Sequence, residues 1–132
     1  MNTFDVIIYT DGSCIPNPGK GGWAYIAFYK DSQIIDSSSN CYTTNNIMEM
    51  TSVIEALKKF YSEKKIKIIT DSTYVINCAQ GKWKRNKNIE LWKQYDIVSK
   101  NKQIVFEWVK GHSGDKYNDM VDKIAKNAIL KN

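Results

Sequence analysis

The chain has 132 residues, 42% hydrophobic and 25% charged, enough for one ordinary globular domain with a real core. No apolar run approaches the roughly 20 residues a membrane span requires, and the first residues lack the basic and apolar regions of a secretory signal. A net charge of +5 and a pI near 9.0 favour an anionic partner, with nucleic acid the commonest.

Phe4–Thr10 is apolar and β-branched and reads as the first strand, ending at Asp11-Gly12-Ser13. Cys14–Gly22 holds both prolines and reads as a loop. Trp23–Tyr29 is a wholly apolar second strand, and Lys30-Asp31-Ser32 turns into a third over Gln33–Ser39, its antiparallel neighbour. Met50, Val53, Ile54, Leu57 and Phe60 recur at helical spacing and give one apolar face. Thr44, Asn45 and Asn46 are candidate N-caps for that helix, and Glu49 is expected in its first turn. Ile66–Thr70 reads as strand four, followed by a short helix after Asp71. A polar, basic stretch, Gln80–Asn88, leads to a helix over Ile89–Val98. Strand five is expected over Gln103–Val109. A last helix runs over Lys116–Leu130, with Val121, Ile124, Ala125, Ala128 and Ile129 inward. The order βββαβααβα predicts an α/β fold, a mixed sheet with helices on its faces, as one domain over residues 1–132.

The first and fourth strands end alike, at Thr10-Asp11 and Thr70-Asp71. Ligands of open α/β sheets gather outside the carboxyl ends of the strands, so the two aspartates can face one crevice. Carboxylates held close repel unless a cation sits between them, which points to a divalent-metal site. Asp also starts turns, so either residue alone carries little. Glu49 and Asp122 sit at the borders of the apolar faces of their helices. An acid at a helix start is commonly explained by the macrodipole, an account that weakens for Asp122. The three cysteines, Cys14, Cys41 and Cys78, form no CxxC pair and read as reduced thiols of an intracellular, cytoplasmic protein. Of the 19 basic residues only Arg85 is an arginine, which favours phosphate tracking by lysine over base-edge reading.

Four blocks, TDGSCIPNPGKGGWA, YTTNNIMEM, IITDSTYV and VKGHSGDKYNDMVDKIA, resemble the type 1 ribonuclease H family in order and spacing, over nearly the whole chain. The resemblance implies a five-stranded mixed sheet of order 3-2-1-4-5. It also implies hydrolysis of the RNA strand of RNA/DNA hybrids, leaving 5′-phosphate and 3′-hydroxyl ends. It makes Asp11, Glu49, Asp71 and Asp122 a metal-binding carboxylate tetrad for two Mg²⁺ ions about 3.5–4 Å apart, with Mn²⁺ as a substitute. By the same resemblance Asp11 bridges both ions, Asp122 completes the nucleophile side, and Glu49 with Asp71 holds the other ion. His112, the only histidine, then assists proton transfer and product departure from a glycine-flanked loop. Asn118 matches a position near the site, with an exposed first-turn residue as the alternative. Cys14, Asn17, Asn45 and Asn46 match readers of the 2′-hydroxyl, and Thr44 a grip on a DNA-strand phosphate.

Two departures stand out. The strongly basic protrusion of well-known members shrinks here to Ala79–Asn88, leaving Trp83 in a basic remnant able to stack on the DNA strand. Ile47 stands where many relatives carry arginine. Both predict weaker hybrid binding. No separate hybrid-binding domain is present in the chain, and a monomer is expected. Two other readings compete: a resolvase or integrase core of the wider superfamily, and a non-catalytic nucleic-acid-binding or protein-binding domain. The TTNN and VKGHSGDKYND segments count against the first, and the complete tetrad against the second.

Overall fold

The computed structural model describes residues 3–131. Its strands are β1 (Val6–Cys14), β2 (Gly19–Tyr29), β3 (Ser32–Thr43), β4 (Lys65–Thr70) and β5 (Gln103–Trp108). Its helices are α1 (Asn45–Lys59), α2 (Thr73–Ala79), α3 (Ile89–Ser99) and α4 (Lys116–Leu130). The strands form one sheet in the order β3-β2-β1-β4-β5, antiparallel across β1–β3 and parallel across β1, β4 and β5. Element order and topology are those expected.

The apolar run of β2 is continuous because both faces of the sheet are covered. Trp23, Tyr25 and Ala27 point into the main core with Val6, Ile8, Ile66 and Ile68, beneath α1 and α3. The alternate residues Ala24 and Ile26 meet Val121 and Ala125 of α4 on the opposite face. Gly22 permits this second contact, since a Cβ there would overlap the Ala125 carbonyl.

Three strand boundaries differ from the sequence reading by four residues. β1 does not stop at Thr10 but runs on through Asp11 to Cys14, and β2 begins at Gly19, so the loop between them shrinks to residues 15–18. β3 extends past Ser39 to Thr43 because its partner strand starts earlier. Glu49 lies in the second turn of α1: the N-cap is Thr44, whose Oγ1 accepts from Ile47 N (3.2 Å), and the first turn carries no acid. The helix dipole therefore does not account for Glu49. Among the described residues no helix is long and apolar enough to cross a membrane.

Candidate active site

The parallel register sets the site. Val6 pairs with Ile66 and Tyr9 with Ile69, and continuing that offset by two residues sets Asp11 beside Asp71. The two Thr-Asp strand ends therefore do meet. Asp11 is buried on β1 and, by the alternation of a strand, shares a face with Tyr9, whose ring packs on Tyr117 of α4. Asp71 follows β4. Its carbonyl accepts from the Trp108 indole (3.2 Å), while Val109 N bonds the preceding Thr70 carbonyl (3.0 Å), so β5 fixes the turn.

Glu49 arrives from the other layer. α1 crosses β1 at Gly12 so closely that a Cβ there would overlap the backbone at Met48 and Glu49. Gly12 N then donates to Glu49 Oε1 at 2.7 Å and to Asp11 Oδ1 at 2.9 Å. One oxygen from each of Asp11, Glu49 and Asp71 lies within 4.8 Å of the others. Asp122, from α4, reaches hydrogen-bonding distance of Asp11 and meets Lys126 at its outer edge (3.1 Å).

Crowding acids together with little water has an electrostatic consequence. Burial first, then the neighbouring charge of Asp71, pushes the Asp11 carboxyl up to about 8. Burial and the Asp11 charge raise Glu49 well above the carboxylate range. Asp71 is raised as well, chiefly by burial, against a hydrogen bond from Asn118 that favours its charged form. A set of hard oxygen donors that repel one another fits a divalent cation, which supplies the missing charge.

The remaining expected residues do not lie in one place. His112 is exposed in the loop before α4, at φ +56°, and its charge acts on Asp71. Gly111 makes that approach possible: a Cβ there would stand 2.9 Å from Asp71 Oδ2. Asn118 is in the first turn of α4 but buried rather than exposed, because α4 lies flat across the sheet. Among the described residues its Oδ1 has no hydrogen-bond partner. Asn17, Thr44, Asn45 and Asn46 line a groove of about 450 Å³, where Asn17 Oδ1 accepts from Asn45 N (3.1 Å). The Cys14 thiol turns inward to the carbonyls of Pro16, Gly19 and Thr43, leaving only its main chain for a ligand.

Sequence reasoning named Trp83 from the basic remnant, yet the groove is completed by Lys87 and Asn88. Trp83 is half exposed on the turn after α2, and its N–H bonds the Asn77 carbonyl. Their place just before α3 was the available signal for Lys87 and Asn88. Gly12, Gly111 and Trp108 were also missed as supports of the acids; a glycine directly after a strand-end acid was the clue to the first.

The sheet topology, with acids converging where its central parallel strands end, defines an α/β protein with a carboxylate centre suited to a divalent metal. The RNase H family model matches residues 3–130. A ribonuclease H of Campylobacter concisus is 43% identical over 134 residues, 96% of this chain and 93% of that protein. A ribonuclease H of Wolbachia pipientis is 45% identical over 145 residues, 98% of this chain and 99% of that protein. Among solved structures, LC11-RNase H1 in complex with an RNA/DNA hybrid superposes with a TM-score of 0.81 at 23% identity, covering 96% of this chain and 97% of that one. LC9-RNase H1 superposes with a TM-score of 0.84 at 27% identity, covering 99% and 74%. The chain belongs to the ribonuclease H family of Mg-dependent endonucleases.

Proposed function

We propose that this enzyme hydrolyses the RNA strand of RNA/DNA hybrids at the Asp11–Glu49–Asp71 centre, leaving 5′-phosphate and 3′-hydroxyl ends. The observation that carries the reading is the convergence of those three carboxylates from β1, α1 and β4, beside a groove lined by Asn17, Thr44, Asn45 and Asn46. Two Mg²⁺ ions bound there would supply a hydroxide-like nucleophile near neutral pH and compensate charge on the departing 3′ oxygen.

Asp11, Glu49 and Asp71 hold the metals, with Asp122 completing the set from α4. Mn²⁺, with similar ligand preferences, is expected to substitute. Asn118 favours the charged form of Asp71 through the amide hydrogen bond, against the burial that raises its carboxyl. His112, exposed and close enough to act on Asp71, carries protons between the site and solvent. Thr44 binds a DNA-strand phosphate. The amides of Asn17, Asn45 and Asn46, with the main chain at Cys14, read the 2′-hydroxyls that mark the RNA strand. Trp83 offers a stacking surface on the DNA side. The enzyme works as a monomer, since one chain supplies every group named.

The test is Mg²⁺-dependent cleavage of one labelled RNA strand, offered as a hybrid, as an RNA duplex and alone, with Asp11→Asn alongside. Cleavage of the hybrid only, lost in the variant, supports the proposal. A folded protein inert on the hybrid in both Mg²⁺ and Mn²⁺ defeats it.

A further inference from the structure

The segment joining α2 to α3 has little to hold it. Lys82 N and Trp83 N bond the Asn77 carbonyl, but among the described residues 84–87 make no backbone–backbone hydrogen bond. Arg85 is the one residue of 80–87 that is not exposed. Its Nε donates to the Cys78 carbonyl (2.9 Å), which also accepts from Gly81 N (3.3 Å), and its Nη2 donates to the Ala79 carbonyl (3.3 Å), so the guanidinium ties down the end of α2. Its Nη1 contacts both carboxylate oxygens of Asp96 on α3 (2.8 and 2.9 Å). The guanidinium also lies over the Trp92 ring, 4.7 Å from its centroid. The chain's only arginine, a residue type suited to phosphate, is thus engaged by groups of the protein itself.

What the clamp holds in place is Lys87. Two residues beyond Arg85, it lines the groove shared with Thr44, and Asn88 anchors the far end through Nδ2 to Tyr74 Oη (3.0 Å). We propose that Arg85 is a positioning residue for substrate: it braces residues 84–87 against α2 and α3 so that Lys87 meets a phosphate of the hybrid's DNA strand. The brace gives order to a connection that carries no helix of its own. This inference rests on the ribonuclease H reading and adds to it a lysine contact and the residue that sets it.

The experiment measures binding of a fluorescently labelled RNA/DNA hybrid by anisotropy in EDTA, across a salt series, for wild type, Arg85→Met, Arg85→Lys, Lys87→Met and the double variant Arg85→Met/Lys87→Met. Loss of one surface charge contact weakens binding about three- to five-fold and lowers the slope of log K against log salt by about 0.9. Arg85→Met and Lys87→Met should each show both effects. Arg85→Lys should behave as Arg85→Met does, because the fork and not the charge makes the brace. The double variant should be no weaker than either single one, since both remove the same contact. A mere loss of stability would leave the salt slope untouched. If Arg85→Met does not fold, Asp96→Asn removes half of the brace at an exposed position with the same expectations. Wild-type affinity and slope in the brace variants, or losses that multiply in the double variant, overturn the proposal. If the wild type cleaves the hybrid while the variants bind as it does, the brace alone fails. If the wild type neither binds nor cleaves the hybrid, the ribonuclease H reading fails with it.

Discussion

Replacing Asp11 by Asn should destroy activity and stabilise the metal-free protein, and the size of the gain follows from the site. The carboxyl titrates at about 8 in the folded chain against an ordinary 3.8. Between those values the native state keeps a proton that the unfolded chain has released, so stability falls as pH rises through the window. Each pKa unit is worth about 1.4 kcal/mol, so by pH 7 the loss amounts to roughly 4 kcal/mol. Glu49 and Asp71 are shifted the same way and deepen the slope. An amide at position 11 carries no charge to desolvate, and its N–H can donate to Glu49. The assay is thermal unfolding in EDTA from pH 5 to pH 8.5. The wild type should lose stability across the range, and Asp11→Asn should lie above it at pH 7.5 by roughly 10 °C for a chain of this length. Mg²⁺ should raise the wild-type midpoint at pH 7.5 and move that of Asp11→Asn far less. A wild-type curve flat in pH, or an Asp11→Asn protein no more stable than wild type at pH 7.5, would refute the electrostatic account.

Gly12→Ala drives a methyl into the backbone of α1; unfolding in denaturant should show a loss of about 3 kcal/mol, with activity falling as Glu49 is displaced. His112→Ala removes an exposed side chain, so kcat should drop roughly 100-fold while the melting temperature holds; a variant as inactive as Asp11→Asn would contradict a proton-carrying role. Thr44→Val deletes the α1 cap and the groove hydroxyl together, costing about 1 kcal/mol and raising KM for the hybrid, whereas Thr44→Ser should preserve both. Lys102→Met frees the carbonyls of Phe60, Tyr61 and Glu63 that the ammonium gathers beyond α1; a loss of about 2 kcal/mol with unchanged kcat is the expected reading in urea unfolding and steady-state assays.

The elements were legible where periodicity and packing agree. Val53, Ile54 and Leu57 repeat as a helix must, and all three are buried. β2 read as a wholly apolar strand, and core residues lie on both of its faces. The boundaries that shifted did so where pairing overrode local signals. Gly19–Gly22 carries turn composition, yet Gly21 pairs with Cys14 and Gly22 with Ser13, because small residues let β2 pass close to Thr43 and Ala125. Asp11 was read as the residue after a strand, but the antiparallel ladder with Ala24 carries it into one.

The candidate site divides along a similar line. Residue type betrayed the acids, since two Thr-Asp strand ends with a parallel register between them have only one geometry open to them. What residue type does not encode is the path that brings a third acid from another layer. Glu49 reaches Asp11 because Gly12 has no side chain, a fact about a contact 37 residues apart in sequence. The same limit applied to the basic remnant. Composition marked Trp83 and a cluster of positive charge, but whether a lysine faces the groove depends on where the arginine between them is tied down. Arg85 turns inward because carbonyls at the end of α2 and Asp96 of α3 together accept its planar fork. The residue that looked most like a nucleic-acid contact is therefore the one that shapes the surface for its neighbour, and only the folded chain makes that exchange visible.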